Sequence, residues 1–364
     1  VYAWMDIGRY LVEKEGRFSK SAARLRDPRV FDFNYVPNEP LMRRELGPVV
    51  DALVRYAKTG IANHMLIVGS RGCGKTVSML YLQHLFKQRS LQFLYANCRT
   101  HNTSYKILAA LLGVRARGVS FAELAEQFAE RYPENTVVVL DEVDLLSEKD
   151  KNKDILYFLS RSRRNYMAVL LSNSPKWASG LDDSVQSTLQ PELIYFRPYT
   201  PSELCAILGQ RATLGVVHTP QAVVDNIAAL TVKYTNADVR VAIKTLYYWA
   251  IERETGLNQN FQRARRDVVV DVVSNLNDKS LLILKSAAGG ERTVKDVYQT
   301  YRRLCARYKE EPFSYVYFYS TLSYLQSLGL ILLISTKVRR AYTKILQLTF
   351  PAEILDSVWG ARFG

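Results

Sequence analysis

The 364-residue sequence predicts an α/β chain: a parallel sheet of the P-loop kind, then a helical lid, then a C-terminal winged-helix domain. Three observations predict it. A glycine-rich turn sits between an apolar run and an amphipathic stretch in residues 64–88. Two further apolar runs, 136–144 and 168–173, end in polar side chains. From Leu281 onward, short helical patterns give way to two strand-like runs.

The first element carries the chemistry most plainly. Residues 64–76 read His-Met-Leu-Ile-Val-Gly-Ser-Arg-Gly-Cys-Gly-Lys-Thr, and the amphipathic stretch begins at Val77. Gly69, Gly74, Lys75 and Thr76 satisfy the phosphate-loop pattern in its required strand, loop, helix setting, and Gly72 adds a hinge. Glycines let backbone N–H groups close around phosphate oxygens, and the helix N-terminus adds partial positive charge. Ser70, Arg71, Cys73 and Val77 complete the candidate nucleotide cradle. Lys75 is expected to reach the β and γ phosphates of ATP or ADP, and Thr76 to ligate Mg2+.

The run at 136–144 has the character of a parallel strand buried on both faces and ends in Asp141, Glu142 and Asp144. In a doubly wound sheet such ends stand beside the ligand, so Asp141 is expected to hold the metal and Glu142 to orient the attacking water. The third run ends at Asn173, a candidate partner of the γ-phosphate or the lytic water. The string from Asp141 to Asp144 also fits a helicase box, but the sequence after Arg197 turns helical instead of offering a second set of βα units.

At the C-terminus, Val294, Val297, Tyr301 and Leu304 fall at helical spacing, and a proline turn at Pro312 opens the next helix. That second helix puts Phe318, Leu322, Leu325 and Leu328 toward the core. It leaves Tyr317, Ser320, Thr321 and Tyr324 on the other face, where a recognition helix would read a major groove. Strands at 330–335 and 342–348 flank a basic hairpin tip at 336–341, in which Lys337, Arg339 and Arg340 suit phosphates or a narrow minor groove. Tyr315, Tyr317, Tyr319 and Tyr324 suit packing better than base stacking.

Bulk composition agrees with these parts. A net charge of +14, spread along the chain, favours a polyanionic partner. Cys73, Cys98, Cys205 and Cys305 lie far apart, without zinc-ribbon or disulfide spacing, and no apolar run approaches the length of a membrane span. The expected setting is a soluble, cytoplasmic, nucleoid-associated protein.

With the three strand ends in order, the chain resembles AAA+ ATPases, and within them the archaeal origin-recognition initiators related to the eukaryotic origin recognition complex. The segment 34–45 resembles the family's tyrosine-valine-proline and arginine-glutamate stretch, which implies adenine contacts for Tyr35, Pro37 and Arg44. Segments 97–99 and 117–124 resemble the initiators' helical insertion, which approaches DNA. Segment 196–204 resembles the start of the lid, and 236–243 the sensor-two helix, whose arginine falls on Arg240.

The resemblance implies an N-terminal extension (1–30), an AAA+ base (31–197), a lid (198–260) and a winged helix (275–364). It also implies an initiator that binds double-stranded origin DNA and works with a replicative helicase and initiator paralogues. One departure stands out. Across 181–189, where a trans-acting arginine is sought, the chain carries Ser184, Ser187 and Thr188, so slow, self-contained hydrolysis is expected. A DNA-binding regulator or partner-binding ATPase with a mainly structural nucleotide is the alternative.

Overall fold

A computed structural model describes the chain except residues 1–6, 88–90, 116, 148–149, 151, 176, 339–340 and 364; the side chains of 17, 18, 20, 337, 338, 341 and 342 are also outside the described set. Two compact units divide it, residues 36–198 and residues 1–35 with 199–364.

In chain order, helix α1 (Ile7–Ala22) belongs to the second of these. The first unit holds α2 (Leu46–Thr59), β1 (Met65–Gly69), α3 (Lys75–Phe86), β2 (Gln92–Asn97), α4 (Ser104–Leu112), α5 (Phe121–Arg131), β3 (Thr136–Asp141), α6 (Asp154–Arg161), β4 (Met167–Ser172), α7 (Asp183–Leu189) and β5 (Glu192–Phe196). The five strands form one sheet in the order β2-β3-β4-β1-β5, and every pair is parallel.

Strand β3 shows why the sheet has two covered faces. All six of its residues are buried. Val138 and Leu140 enter a core with Leu108, Phe128 and Tyr166, whereas Val137 and Val139 enter the opposite core with Leu53, Met79 and Phe196. Alternate side chains of a strand point to opposite faces, so a continuous β-branched run feeds both layers at once. The helix α5 between β2 and β3 starts with a complete capping box, the Ser120 side chain and Glu123 satisfying each other's backbone.

The second unit continues with α8 (Pro201–Gly215), α9 (Gln221–Thr235), α10 (Val239–Ile251), α11 (Leu257–Ser274), α12 (Asp278–Ala287), β6 (Arg292–Thr293), α13 (Val294–Arg307), α14 (Tyr315–Ser327), β7 (Ile331–Val338), β8 (Ala341–Leu348) and α15 (Ala352–Phe363). Thr200 and Glu203 cap α8 reciprocally, and Pro201 takes its first turn, where a missing N–H costs nothing. The N-terminal segment joins this helix: Leu25 bridges Val216, and Val30 and Phe31 crowd Gly215 so closely that a Cβ there would lie 2.4 Å from Val30.

Helices α12 to α14 and strands β6 to β8, in the antiparallel order β6-β8-β7, enclose a core that includes Leu281, Val297, Tyr301, Phe318, Leu322 and Leu346. The winged-helix pattern expected after Leu281 is therefore present. So is the doubly covered parallel sheet expected before Arg197.

Two expectations need correction here. Thr321 is only 8% exposed, and its hydroxyl donates to the Tyr317 carbonyl at 2.9 Å. It lies three residues after Phe318, which places it on the same stripe of the helix as the core residues rather than opposite them. The hairpin tip is also shorter than expected. β7 and β8 stay paired through Thr336↔Thr343, Lys337↔Tyr342 and Val338↔Ala341, so Thr336 and Lys337 are strand residues. Arg339, Arg340 and the Lys337 side chain lie outside the described residues.

Candidate functional site

The loop between β1 and α3 is shaped by its glycines. Gly72 and Gly74 take φ of 70° and 91°, a left-handed backbone that other residues adopt only under strain. At Gly69 the constraint is space: a Cβ would sit 2.5 Å from the Phe196 carbonyl oxygen and 2.7 Å from Cys73 Sγ. The loop then turns its polar groups inward. Lys75 is 7% exposed, and its ammonium donates to the carbonyls of Gly69 at 2.7 Å and Ser70 at 3.1 Å and to Asn173 Oδ1 at 3.0 Å. Ser70 Oγ is buried with no hydrogen-bond partner among the described residues. Cys73 is buried, and burial pushes its thiol pKa up; Val77 is half-buried in the first turn of α3.

The acids at and just after the end of β3, which β4 separates from β1 in the sheet, meet this loop. Asp141 Oδ2 accepts from Thr76 Oγ1 at 2.7 Å and from the Tyr95 phenol at 2.8 Å, while Oδ1 accepts from the Glu142 N–H at 2.8 Å. Burial raises the pKa of this carboxyl, and the bonds from Thr76 and Tyr95 work against that rise. Glu142 has φ of 53° and pairs with two arginines, Arg99 Nε at 2.9 Å and Arg71 Nη2 at 3.7 Å. Asp144 Oδ1 accepts from Asn173 N–H at 2.9 Å and Ser172 Oγ at 3.0 Å.

Sequence reading thus named Lys75, Thr76, Asp141, Glu142 and Asn173, and the fold brings these five together at the strand ends. It overlooked their supports: Tyr95 on Asp141, Arg99 on Glu142 and Asp144 on Asn173. It also overlooked Arg43, which is 4% exposed and donates to the loop carbonyl of Cys73 at 2.8 Å and to Arg197 O at 2.9 Å. Its neighbour Arg44, the arginine expected at the adenine, is exposed, and Pro37 is buried. A doubled arginine before a helix signals only that one of the two faces inward.

Tyr35 and Arg240 belong to the other unit. The Arg211 guanidinium lies 4.4 Å over the Tyr35 ring and donates to its carbonyl at 3.3 Å. Arg240, in the first turn of α10, is held by both carboxylate oxygens of Asp238. On α14, Ser320 is exposed and Tyr317 is 36% exposed, its ring edge-on to Phe313 at 4.4 Å.

A loop with left-handed glycines, a buried ammonium and an inward hydroxyl without a partner among the described residues fits a phosphate chain. Thr76 and Asp141 offer hard oxygens to a divalent cation. Mg2+ is held by few protein oxygens beside water and phosphate ligands.

Two family models match the chain, an AAA domain over residues 60–178 and the CDC6 C-terminal winged helix domain over residues 263–357. The ORC1-type DNA replication protein 1 of Sulfurisphaera tokodaii is 31% identical over 82% of this chain and 83% of its own length. The chain belongs to the ORC1-type DNA replication proteins. A second ORC1-type relative, from Methanosarcina acetivorans, is 28% identical over 88% of this chain and 86% of its own. Among solved structures, the Aeropyrum pernix ORC1 protein in complex with DNA shares the fold at a TM-score of 0.68 and 24% identity, covering 93% of this chain and 97% of that one. The Aeropyrum pernix ORC2 protein with ADPNP and ADP does so at 0.60 and 20%, covering 93% and 99%. An ORC1-type protein with this AAA domain is a nucleotide-binding protein. No described helix is long and apolar enough to cross a membrane.

Proposed function

We propose that this ORC1-type protein is a nucleotide-switched replication initiator that grips double-stranded origin DNA and helps recruit the replicative helicase, alongside initiator paralogues. The observation that carries this reading is the convergence of two pairs on one loop, Lys75 with Asn173 at 3.0 Å and Thr76 with Asp141 at 2.7 Å. They join the phosphate-binding turn to the ends of two neighbouring strands, where a charge change on the loop is felt by the sheet.

When bound, ATP with Mg2+ supplies a phosphoanhydride that water can cleave. Lys75 would neutralise the β and γ phosphates, while Thr76 and Asp141 would hold the metal. Glu142 would take the proton of the attacking water, and Asn173 would fix the terminal phosphate or that water. Arg240 would report lid closure, and Tyr35, Pro37 and Arg44 would line the base side. The base at 31–197, the lid at 198–260 and the winged helix at 275–364 would divide this work. Residues 181–189 carry no lysine or arginine, which supports slow turnover in a switch rather than a motor.

On the DNA side, Tyr317 and Ser320 would face the major groove, and Lys337, Arg339 and Arg340 the phosphates. Thr321 has no part in this reading, because it is buried. Binding of duplex origin fragments and of random duplex, each measured with ADP and with a non-hydrolysable ATP analogue, tests the whole reading. Nucleotide-dependent preference for the origin fragment is expected; equal affinities throughout would sink it. Single-turnover hydrolysis by Glu142→Gln, expected to be far slower than wild type, tests the catalytic assignment.

A further inference from the structure

We infer that Arg71 is a terminal-phosphate contact carried within the phosphate loop itself, and that it lets the protein tell ATP from ADP without a cation from a second copy. The inference rests on the nucleotide site proposed above and goes beyond it by giving Arg71, until now one member of the loop, a specific phosphate contact and a role in discrimination.

Arg71 lies in the turn between Gly69 and Gly72, so its backbone is part of the wall around the phosphate chain. Its side chain is only 11% exposed, although an arginine on a turn ordinarily reaches into water. It is turned back toward the sheet, where a guanidinium nitrogen stands 3.7 Å from Glu142 Oε1. Arg99, just beyond the end of β2, bonds the other oxygen of the same carboxylate at 2.9 Å.

The position follows from the roles of the neighbours. If Glu142 orients the attacking water, its carboxylate is within about one water of the terminal phosphorus. A guanidinium in ion-pair contact with that carboxylate is then within a side-chain swing of the terminal phosphate oxygens. Arg99 already satisfies one oxygen of Glu142, so Arg71 can turn to phosphate without leaving the carboxylate bare. Guanidinium to phosphate is a charge-assisted, often bidentate contact, and it exists for ATP and not for ADP.

The sequence of helix α7 makes the need specific. Helix α7, where a cation acting on a neighbouring molecule's nucleotide would be sought, has two aspartates, Asp182 and Asp183, at its start and no basic residue through Leu189. The loop arginine supplies within one chain the charge that this helix lacks.

The test compares the affinities of wild type, Arg71→Ala and Arg71→Lys for ADP and for a non-hydrolysable ATP analogue with Mg2+, by calorimetry on the full chain. Wild type is expected to prefer the analogue. Arg71→Ala should lose about 10- to 100-fold in analogue affinity, the range for a charged hydrogen bond, with ADP affinity unchanged, and Arg71→Lys should recover part of the loss. Parallel loss of both nucleotides, or an unchanged ratio, would overturn the inference. So would faster single-turnover hydrolysis by Arg71→Ala, since Arg71 would then only restrain Glu142. Wild-type protein that binds neither nucleotide would instead overturn the site on which the inference rests.

Discussion

The backbone N–H of Asn173 donates to Asp144 Oδ1 at 2.9 Å, and the side chain of the same asparagine accepts from Lys75 at 3.0 Å. The last acid after β3 therefore fixes the residue that faces the phosphate loop from β4. Removing it leaves the Asn173 N–H and the Ser172 hydroxyl without that acceptor in a buried setting, which costs about 1–3 kcal/mol. Asp144→Ala should lower stability by that amount in denaturant titrations and slow single-turnover hydrolysis more than it weakens ADP binding. Asp144→Asn keeps an acceptor and should recover much of the rate. Hydrolysis by Asp144→Ala at the wild-type rate would show that Asn173 needs no such anchor.

His64 predicts a pH dependence at the other end of the sheet. Its Nδ1 accepts from the Ala168 N–H at 3.1 Å, and burial holds its pKa below the ordinary histidine value. The unfolded chain takes up this proton more readily than the folded one. The contribution is therefore complete above the unfolded pKa and is lost as pH falls through the lower folded value. Denaturation midpoints of wild type should drop between neutral and mildly acidic pH, and His64→Asn should reduce that drop. Identical pH profiles would show that His64 contributes nothing to it.

Gly69→Ala should act on the site through packing alone. The new methyl would meet the Phe196 backbone at 2.5 Å, and a carbonyl in a paired strand cannot move aside cheaply. A destabilisation of about 1–3 kcal/mol is expected. The thermal shift that ADP with Mg2+ gives the wild type should shrink or vanish.

The winged helix separates a structural threonine from surface groups. Thr321→Val should leave duplex affinity unchanged, since its hydroxyl is turned to the Tyr317 carbonyl within the helix. Replacing Lys337, Arg339 and Arg340 together by alanine should weaken binding to every duplex. It should also flatten the salt dependence, by about 0.9 in logarithmic slope for each phosphate that is no longer neutralised. An unchanged slope in anisotropy titrations would place the phosphate-binding groups elsewhere.

What the sequence determined by itself was whatever depends on short-range order. The strand, loop and helix around Lys75 were legible because glycines at fixed offsets permit one backbone path. The buried run of β3 was legible because a β-branched stretch of that length suits a doubly covered strand. The helices α13 and α14 of the winged domain were legible from apolar spacing, while the end of strand β7 was not, because cross-strand pairing carried it past Thr336 and Lys337, which had suggested a loop. Tertiary structure alone decided which polar groups meet. That Arg43 rather than Arg44 turns inward, and that Tyr95, Arg99 and Asp144 hold Asp141, Glu142 and Asn173, depend on contacts between segments distant in sequence. Such partners leave no periodicity to read, because a buried polar atom is satisfied by whichever donor the packing of the sheet brings within about 3 Å.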